Sequence, residues 1–216
     1  MSELDSQTAY WDSVAATKTF THPLHQPWLE PVGRDAAVLD YGCGYGRTVD
    51  ALARQGFHDL SGVDTSPGMI ARARALRPAV RFDVLAAPPA LDRPDASVDL
   101  VVLFAVLTCV PDGGAQRRLI GEVGRVLRPG GLLYVSDLLL QDDARNQERY
   151  ARFAELHGTH GVFETSDGAV CRHHTEEWLS SLLAAFEAVG SRRITVATMN
   201  GHAATGMQFL VRKALG

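Results

Sequence analysis

Cysteine is scarce in this chain: there are three, at 43, 109 and 171, an odd number, widely separated and in no Cys-x-x-Cys pair. Such spacing supports neither a disulfide frame nor a zinc site, and it fits a reducing cytosol. An excess of positive charge is missing too. The formal net charge is −4 with both signs interspersed, which leaves no basic footprint for nucleic acid and disfavours a polyanionic acceptor, although a local patch escapes a whole-chain count. No apolar run approaches bilayer-spanning length, and the opening MSELDSQTAYWDS is acidic and polar rather than a charged-then-apolar leader. The expectation is a cytoplasmic protein without a membrane partner. Internal repeats and low-complexity stretches are also lacking. What is present is 46% hydrophobic content over 216 residues, enough for one substantial core with a small elaboration.

The most informative stretch is Val38-Leu39-Asp40-Tyr41-Gly42-Cys43-Gly44-Tyr45-Gly46-Arg47, followed by TVDALAR (48–54) and Gly56. It reads as a strand, a tight glycine turn and a helix. Glycine tolerates positive φ and lacks Cβ, so the turn lets backbone lie against a ligand at the open end of a parallel sheet. The dinucleotide fingerprint G-x-G-x-x-G requires glycine where this chain has Arg47, so the fit to a nicotinamide cofactor is poor. About twenty residues on, Leu60-Ser61-Gly62-Val63-Asp64 reads as a second strand ending in an acid, a spacing that puts a carboxylate beside a ribose. The competing reading is a helix-start acid, since Ser66 can cap and Pro67 suits a first helical turn.

Together these segments resemble the class I S-adenosylmethionine (SAM)-dependent methyltransferases. The glycine stretch is similar to the family's motif I, and Gly62-Val63-Asp64-Thr65-Ser66 is similar to its ribose-binding segment. Leu127-Arg128-Pro129-Gly130-Gly131 before Leu132-Leu133-Tyr134-Val135 looks like its stop, turn and fifth strand. The resemblance implies that Gly42, Gly44 and Gly46, with Asp40 and Cys43, approach the methionine part of SAM, that Asp64 and Thr65 meet the ribose, and that Phe104 ends the fourth strand against the methionine. Where the family often has an adenine-binding acid this chain has Ala87, so either Asp83 or the backbone of Leu85, Ala86 and Ala87 reads the adenine edge. A Phe-Thr-His-Pro-Leu segment (20–24) and Leu-Phe-Ala-Val-Leu-Thr-Cys (103–109) are similar to a narrower group of bacterial small-molecule methyltransferases.

The implied fold is α/β and Rossmann-like: a seven-stranded, mostly parallel sheet with a reversed strand near its edge and helices on both faces. Residues 37–216 form the domain. Residues 140–174 interrupt the alternation and read as a small cap inserted after strand five, with a hairpin around Ser166-Asp167-Gly168. Residues 1–36 read as a helix and loop over a sheet edge, or as a lid whose Trp11, Lys18, Phe20 and His22 line the pocket.

Methyl transfer to a small O, N, S or carbon acceptor, leaving S-adenosylhomocysteine, is the implied reaction. The alternatives are a SAM-binding protein of this fold without methyl transfer, pericyclase-like or regulatory, and a nicotinamide reductase. A base is required only for an acceptor protonated at working pH. The candidates are His174 first, then Asp137, His202, His22 and Tyr150; Asp137 reads equally as a solvated cap. His173 and His174 are adjacent and point apart, so at most one reaches a pocket, and they lack the i, i+4 spacing of a helical zinc pair. No metal is expected. Trp11, Phe20 and Phe163 suggest a small, partly apolar acceptor, and the protein is expected to be a monomer or homodimer.

Overall fold

The computed structural model describes residues 7–215, so residues 1–6 of the expected lid segment lie outside the described residues. Two short helices open the chain, α1 (Thr8–Ser13) and α2 (Gln26–Leu29). There follow β1 (Val38–Tyr41), α3 (Arg47–Arg54), β2 (Leu60–Asp64), α4 (Pro67–Leu76), β3 (Arg81–Val84) and β4 (Val98–Phe104). A 3-10 turn at Leu107–Cys109 leads to α5 (Gly113–Val126) and β5 (Leu127–Leu138). Then come α6 (Ala144–His157), β6 (Val162–Glu164), β7 (Val170–Arg172), α7 (Glu176–Leu182), β8 (Glu187–Ala197) and β9 (Ala203–Arg212).

Seven strands form one sheet in the order β3-β2-β1-β4-β5-β9-β8. The first five run parallel, and β9 lies antiparallel to both β5 and β8, which is the reversed strand expected near the edge. Central strands buried on both faces need covering on both. Leu119, Ile120 and Val123 of α5 with Leu179 and Leu182 of α7 cover one face. Leu29, Val49, Leu52 and Ile70 from α2, α3 and α4 cover the other. Strand order reverses at β1, which pairs with β2 on one side and β4 on the other, and a crevice opens at the carboxyl end of such a switch point.

Local chemistry explains most boundaries. Ser66 caps α4 by accepting from Met69 N–H at 3.1 Å, with Pro67 in the first turn, and Thr175 caps α7 through Trp178 N–H at 3.1 Å. The polar helix read from Gln141 begins at Ala144, because Asp143 caps it and the Gln141 amide turns back to Leu139 O at 2.6 Å. Strand β8 starts at Glu187, well before the apolar signal at Ile194. It is an edge strand with little buried face, so no alternation marked its first half. Residues 140–174 hold α6 and the two-stranded β6–β7 ladder, which pack through Tyr150, Phe163, Ala169 and Cys171. Among the described residues no helix is long and apolar enough to cross a membrane.

Gly62 shows how tightly the crevice floor is packed. A Cβ there would lie 2.8 Å from both Cys43 Sγ and Phe82 Cδ1, an unrelievable clash with a rigid ring. Gly62→Ala should therefore destabilise the protein by about 1–3 kcal/mol, as overpacking does. Gly121→Ala, in the interior of α5 with nothing within 4 Å of its Cβ position, should stabilise it by about 0.5–1 kcal/mol. Urea midpoints of the two variants check both signs.

Candidate functional site

The glycine turn closes in left-handed backbone at Gly42 (φ 70), Gly44 (φ 52) and Gly46 (φ 81). It is pinned from below: Gly42 and Cys43 N–H groups donate to Val63 O at 2.8 and 3.0 Å, and Gly46 N–H to Cys43 O at 2.9 Å. A Cβ on Gly42 would stand 2.5 Å from Val106 Cγ2, so only glycine leaves this backbone bare toward the crevice. Asp64 fixes the rim. Its Oδ2 accepts from Gly44 N–H at 2.8 Å and its Oδ1 from Ser66 N–H at 2.9 Å, leaving a lone pair on each oxygen for a ligand's hydroxyls. Burial pushes its carboxyl up while these backbone donors pull it back.

Two adjoining clefts occupy the carboxyl end of the sheet. The first is lined by Gly42, Gly44, Asp64, Thr65, Leu85 and Phe104, and among the described residues Asp64 is the only charged one in its wall. The second contains His22, Arg149, Phe163, His173, Met199 and His202. Trp11, Phe20, Ala105 and Cys109 belong to both walls and form the partition. Ala105 holds φ 56, a conformation costing about 1–2 kcal/mol for a residue with a Cβ, and strain of this kind concentrates at functional sites. Its N–H donates to Ser136 O at 2.8 Å, which ties the strained residue to the end of β5.

The N-terminal segment straps over both clefts. Asp12 Oδ1 accepts from Ser66 Oγ at 2.9 Å and Gly68 N–H at 2.6 Å on the glycine-turn side. Lys18 Nζ reaches Asp167 at 2.7 Å and Asn200 at 2.6 Å on the far side. Gln7 joins Cys109 O and Val170 N–H, both at 2.7 Å, and Phe20 stacks on Tyr45 at 5.9 Å between ring centres.

The remaining expected residues are placed unevenly. Asp40, Cys43 and Gly46 lie beneath the glycine turn rather than in the cleft wall. Asp40 is buried with Oδ2 unpartnered, and desolvation raises its carboxyl to about 7. Ala86 and Ala87 are exposed beyond the wall that Leu85 completes, and Asp83 pairs with Arg81 at 2.6 Å. His174 stands outside both clefts at 1% exposure: Gln116 Nε2 lies 2.9 Å from its Nε2 and Leu138 O 3.3 Å from its Nδ1. Burial holds its pKa down at about 3, and both nitrogens are already engaged. Asp137 is fully buried and outside both walls as well. It accepts from Leu138 N–H at 2.8 Å and Thr108 N–H at 3.2 Å, bracing the 3-10 turn, and burial raises it to about 7. Of the adjacent pair it is His173 that faces the second cleft, its Nδ1 2.6 Å from the Tyr150 hydroxyl, with Tyr150 itself behind the wall. His202 lines the same cleft on the β8–β9 turn, and His22 enters it with Nδ1 2.8 Å from Ser136 Oγ. Arg149 carried no signal in the sequence, because it acquires its position only through packing of distant segments.

Comparison with known proteins agrees with this architecture. The family described as "Methyltransferase domain" matches residues 39–135. A ubiquinone biosynthesis O-methyltransferase of Xylella fastidiosa is 34% identical over 155 residues, spanning 63% of this chain and 59% of that protein. A trans-aconitate 2-methyltransferase of Methylobacterium nodulans is 39% identical over 106 residues, 49% of this chain and 39% of that protein. The chain thus spans less than two thirds of these curated relatives. Among solved structures, a SAM-dependent methyltransferase from Methanosarcina mazei superposes with TM-score 0.84 at 27% identity, covering 90% of this chain and all of that one.

His22 gives a stability test of the site. Burial lowers its pKa from 6.5 to about 4, so between these values the unfolded chain binds a proton that the folded one refuses, and stability falls as pH drops through that window. In His22→Asn the loss between pH 7 and 4 should be shallower by up to about 3 kcal/mol. Urea unfolding at a series of pH values measures it, and parallel profiles would show that His22 titrates as a solvated imidazole.

Proposed function

The chain belongs to the class I S-adenosylmethionine-dependent methyltransferase family, and from that membership we propose that it transfers the methyl group of SAM to a small-molecule acceptor. The observation that carries this reading is the shared partition. A cleft bearing the glycine turn and Asp64 adjoins a second, aromatic-lined cleft through Trp11, Phe20, Ala105 and Cys109. A donor in the first and an acceptor in the second would meet across that wall.

The residues of the first cleft fit the donor. The bare backbone of Gly42 and Gly44 accepts close approach, and Asp64 offers lone pairs to a ribose diol. Thr65, Leu85 and Phe104 complete the wall, Leu85 beside the exposed backbone of Ala86 and Ala87. Bound SAM supplies a methyl already activated by its positive sulfonium. The chain's contribution is then alignment and the exclusion of water, with Trp11 and Phe20 roofing both clefts. Orientation of this kind is worth about 7–11 kcal/mol, against about 10²–10⁴-fold for a positioned base. His22 and His173 line the acceptor cleft, and burial keeps both neutral near pH 7, able to accept a proton but weakly basic. Proximity therefore carries most of the rate. His174 and Asp137 act from behind the wall, as supports for the turn at Leu107–Cys109. The N-terminal strap serves as the lid and residues 140–174 as the cap that selects the acceptor. The O-methyltransferase and trans-aconitate methyltransferase relatives support a small organic acceptor.

Calorimetric titration of SAM into wild type and Asp64→Ala tests the donor half. Loss of the carboxylate that anchors Gly44 and meets the ribose should weaken binding at least about ten-fold. Equal affinities, or no binding by wild type, would sink the assignment. Transfer of label from isotopically methyl-labelled SAM to added acceptors tests the other half, since a protein that only binds SAM never moves the label.

A further inference from the structure

The acceptor cleft carries an unbalanced charge. Among the described residues its wall includes Arg145 and Arg149, on one side of α6, and no Asp or Glu. The chain as a whole is net −4, so this is local placement rather than composition. Arg149 is the more unusual of the two. Its guanidinium carbon sits 3.4 Å from the centre of the Phe163 ring, its Nε is buried without a hydrogen-bond partner, and among the described residues no carboxylate forms an ion pair with it. Arg145 reaches only Asp143, at 4.0 Å. Two like charges four residues apart on a helix repel each other, and the field of Arg145 opposes the charge on Arg149. Arg149 is half-buried and meets the Tyr150 side chain but no carboxylate, and a second cation set beside it makes the arrangement costly unless something negative completes it.

The geometry says which kind of anion. A guanidinium set over an aromatic face still presents N–H groups at its edge, the fork that matches a planar carboxylate. Beyond the arginines the cleft is lined by Trp11, Phe20, Phe163, Leu138 and Met199, which suit an apolar body. The two clefts are also opposite in sign, Asp64 in one and the arginines in the other, so the donor's cationic centre and an anionic acceptor are each drawn to their own side.

We infer that the methyl acceptor is a small organic acid with an apolar body, whose carboxylate is held by Arg149 with Arg145 beside it. The inference rests on the methyl-transfer reading of the two clefts and narrows its substrate class. Arg149 binds and orients the acid, and the cap bearing it sets the distance from the partition at which the acid's nucleophilic atom stands.

The test uses the full chain saturated with S-adenosylhomocysteine and matched probes that differ in one group. Benzoate and trans-cinnamate are titrated calorimetrically against benzamide and cinnamamide, with phenylphosphonate as a further arm. The acids should bind at least about ten-fold more tightly than their amides. Arg149→Met should remove that preference and Arg149→Lys keep part of it, with Arg145→Met giving a smaller loss. S-adenosylhomocysteine affinity reports that each variant is folded; should Arg149→Met lose it, the Lys variant and Arg145→Met carry the comparison. Equal binding of acid and amide overturns the inference, as does preference for phenylphosphonate over benzoate, or acid affinity indifferent to the arginine variants. Failure of both acids to bind at millimolar concentration while S-adenosylhomocysteine binds overturns the inference alone. Failure of S-adenosylhomocysteine to bind wild type removes the donor reading and this inference with it.

Discussion

The carboxylate of Asp64 holds the Gly44 N–H at 2.8 Å and the Ser66 N–H at 2.9 Å, and most of the site hangs on that pair of bonds. The first fixes the rim of the glycine turn, whose bare backbone is the only part of the first cleft that no other residue type can supply. The second sets the cap of α4, where Ser66 then accepts from Met69 N–H and donates to Asp12 on the strap. One buried acid therefore connects the turn, the helix start and the roof. Hydrogen bonds to an ionised group are roughly twice as strong as neutral ones, which is how the position sustains the desolvation that pushes its carboxyl upward. The helix-start role of Asp64 does not exclude a ligand role, since its two oxygens accept from the backbone of Gly44, Thr65 and Ser66 and retain capacity.

Electrostatics then divides the crevice. Among the described residues the wall of the first cleft carries one acid and no arginine or lysine, and that of the second carries arginines and no acid. Between them stand Trp11, Phe20, Ala105 and Cys109, which present apolar and backbone surface in a partition of low polarity. Charges across such a partition interact more strongly than they would in water. The strain in Ala105 belongs to the same device. A left-handed alanine turns the chain sharply at the end of β4, so that Phe104 faces one cleft and the 3-10 turn carrying Thr108 and Cys109 faces the other.

How much of this was legible in the sequence follows from how locally each part is encoded. The glycine turn, the acid at the end of β2 and the Ser66 cap are written in consecutive residues and could be read, while the sheet with its reversed strand was implied by the family resemblance. The histidines could not be read. In extended backbone adjacent side chains face opposite ways, so one of His173 and His174 had to turn from the cleft. Which one turned depends on the bridge between Leu139 and His174, a contact between segments 35 residues apart. That bridge aims His174 at Gln116 and leaves His173 to Tyr150 and the cleft. Arg149 was hidden for the same reason: on a polar helix one arginine looks like another until the β6–β7 ladder brings Phe163 beneath it. Edge strand β8 was read short because an exposed strand has no buried face to mark its register.

The strap decides how the two clefts open. Trp11 and Phe20 roof both, so a ligand entering either cleft displaces the same segment, and the energy of that displacement follows from its ties. On the far side these are Lys18 with Asp167 and Asn200, at side-chain exposures of 14% and 35% for the ion pair, where such a contact is worth about 0–1 kcal/mol. On the near side Asp12 meets Ser66 and Gly68, bonds anchored through Asp64 to the glycine turn itself. The far side also holds Gln7 on Val170 N–H and Thr21 on Ala197 O, so the strap is tied down over both clefts. Because the near ties reach Asp64 through Ser66, the strap and the glycine turn of the first cleft are joined through one carboxylate.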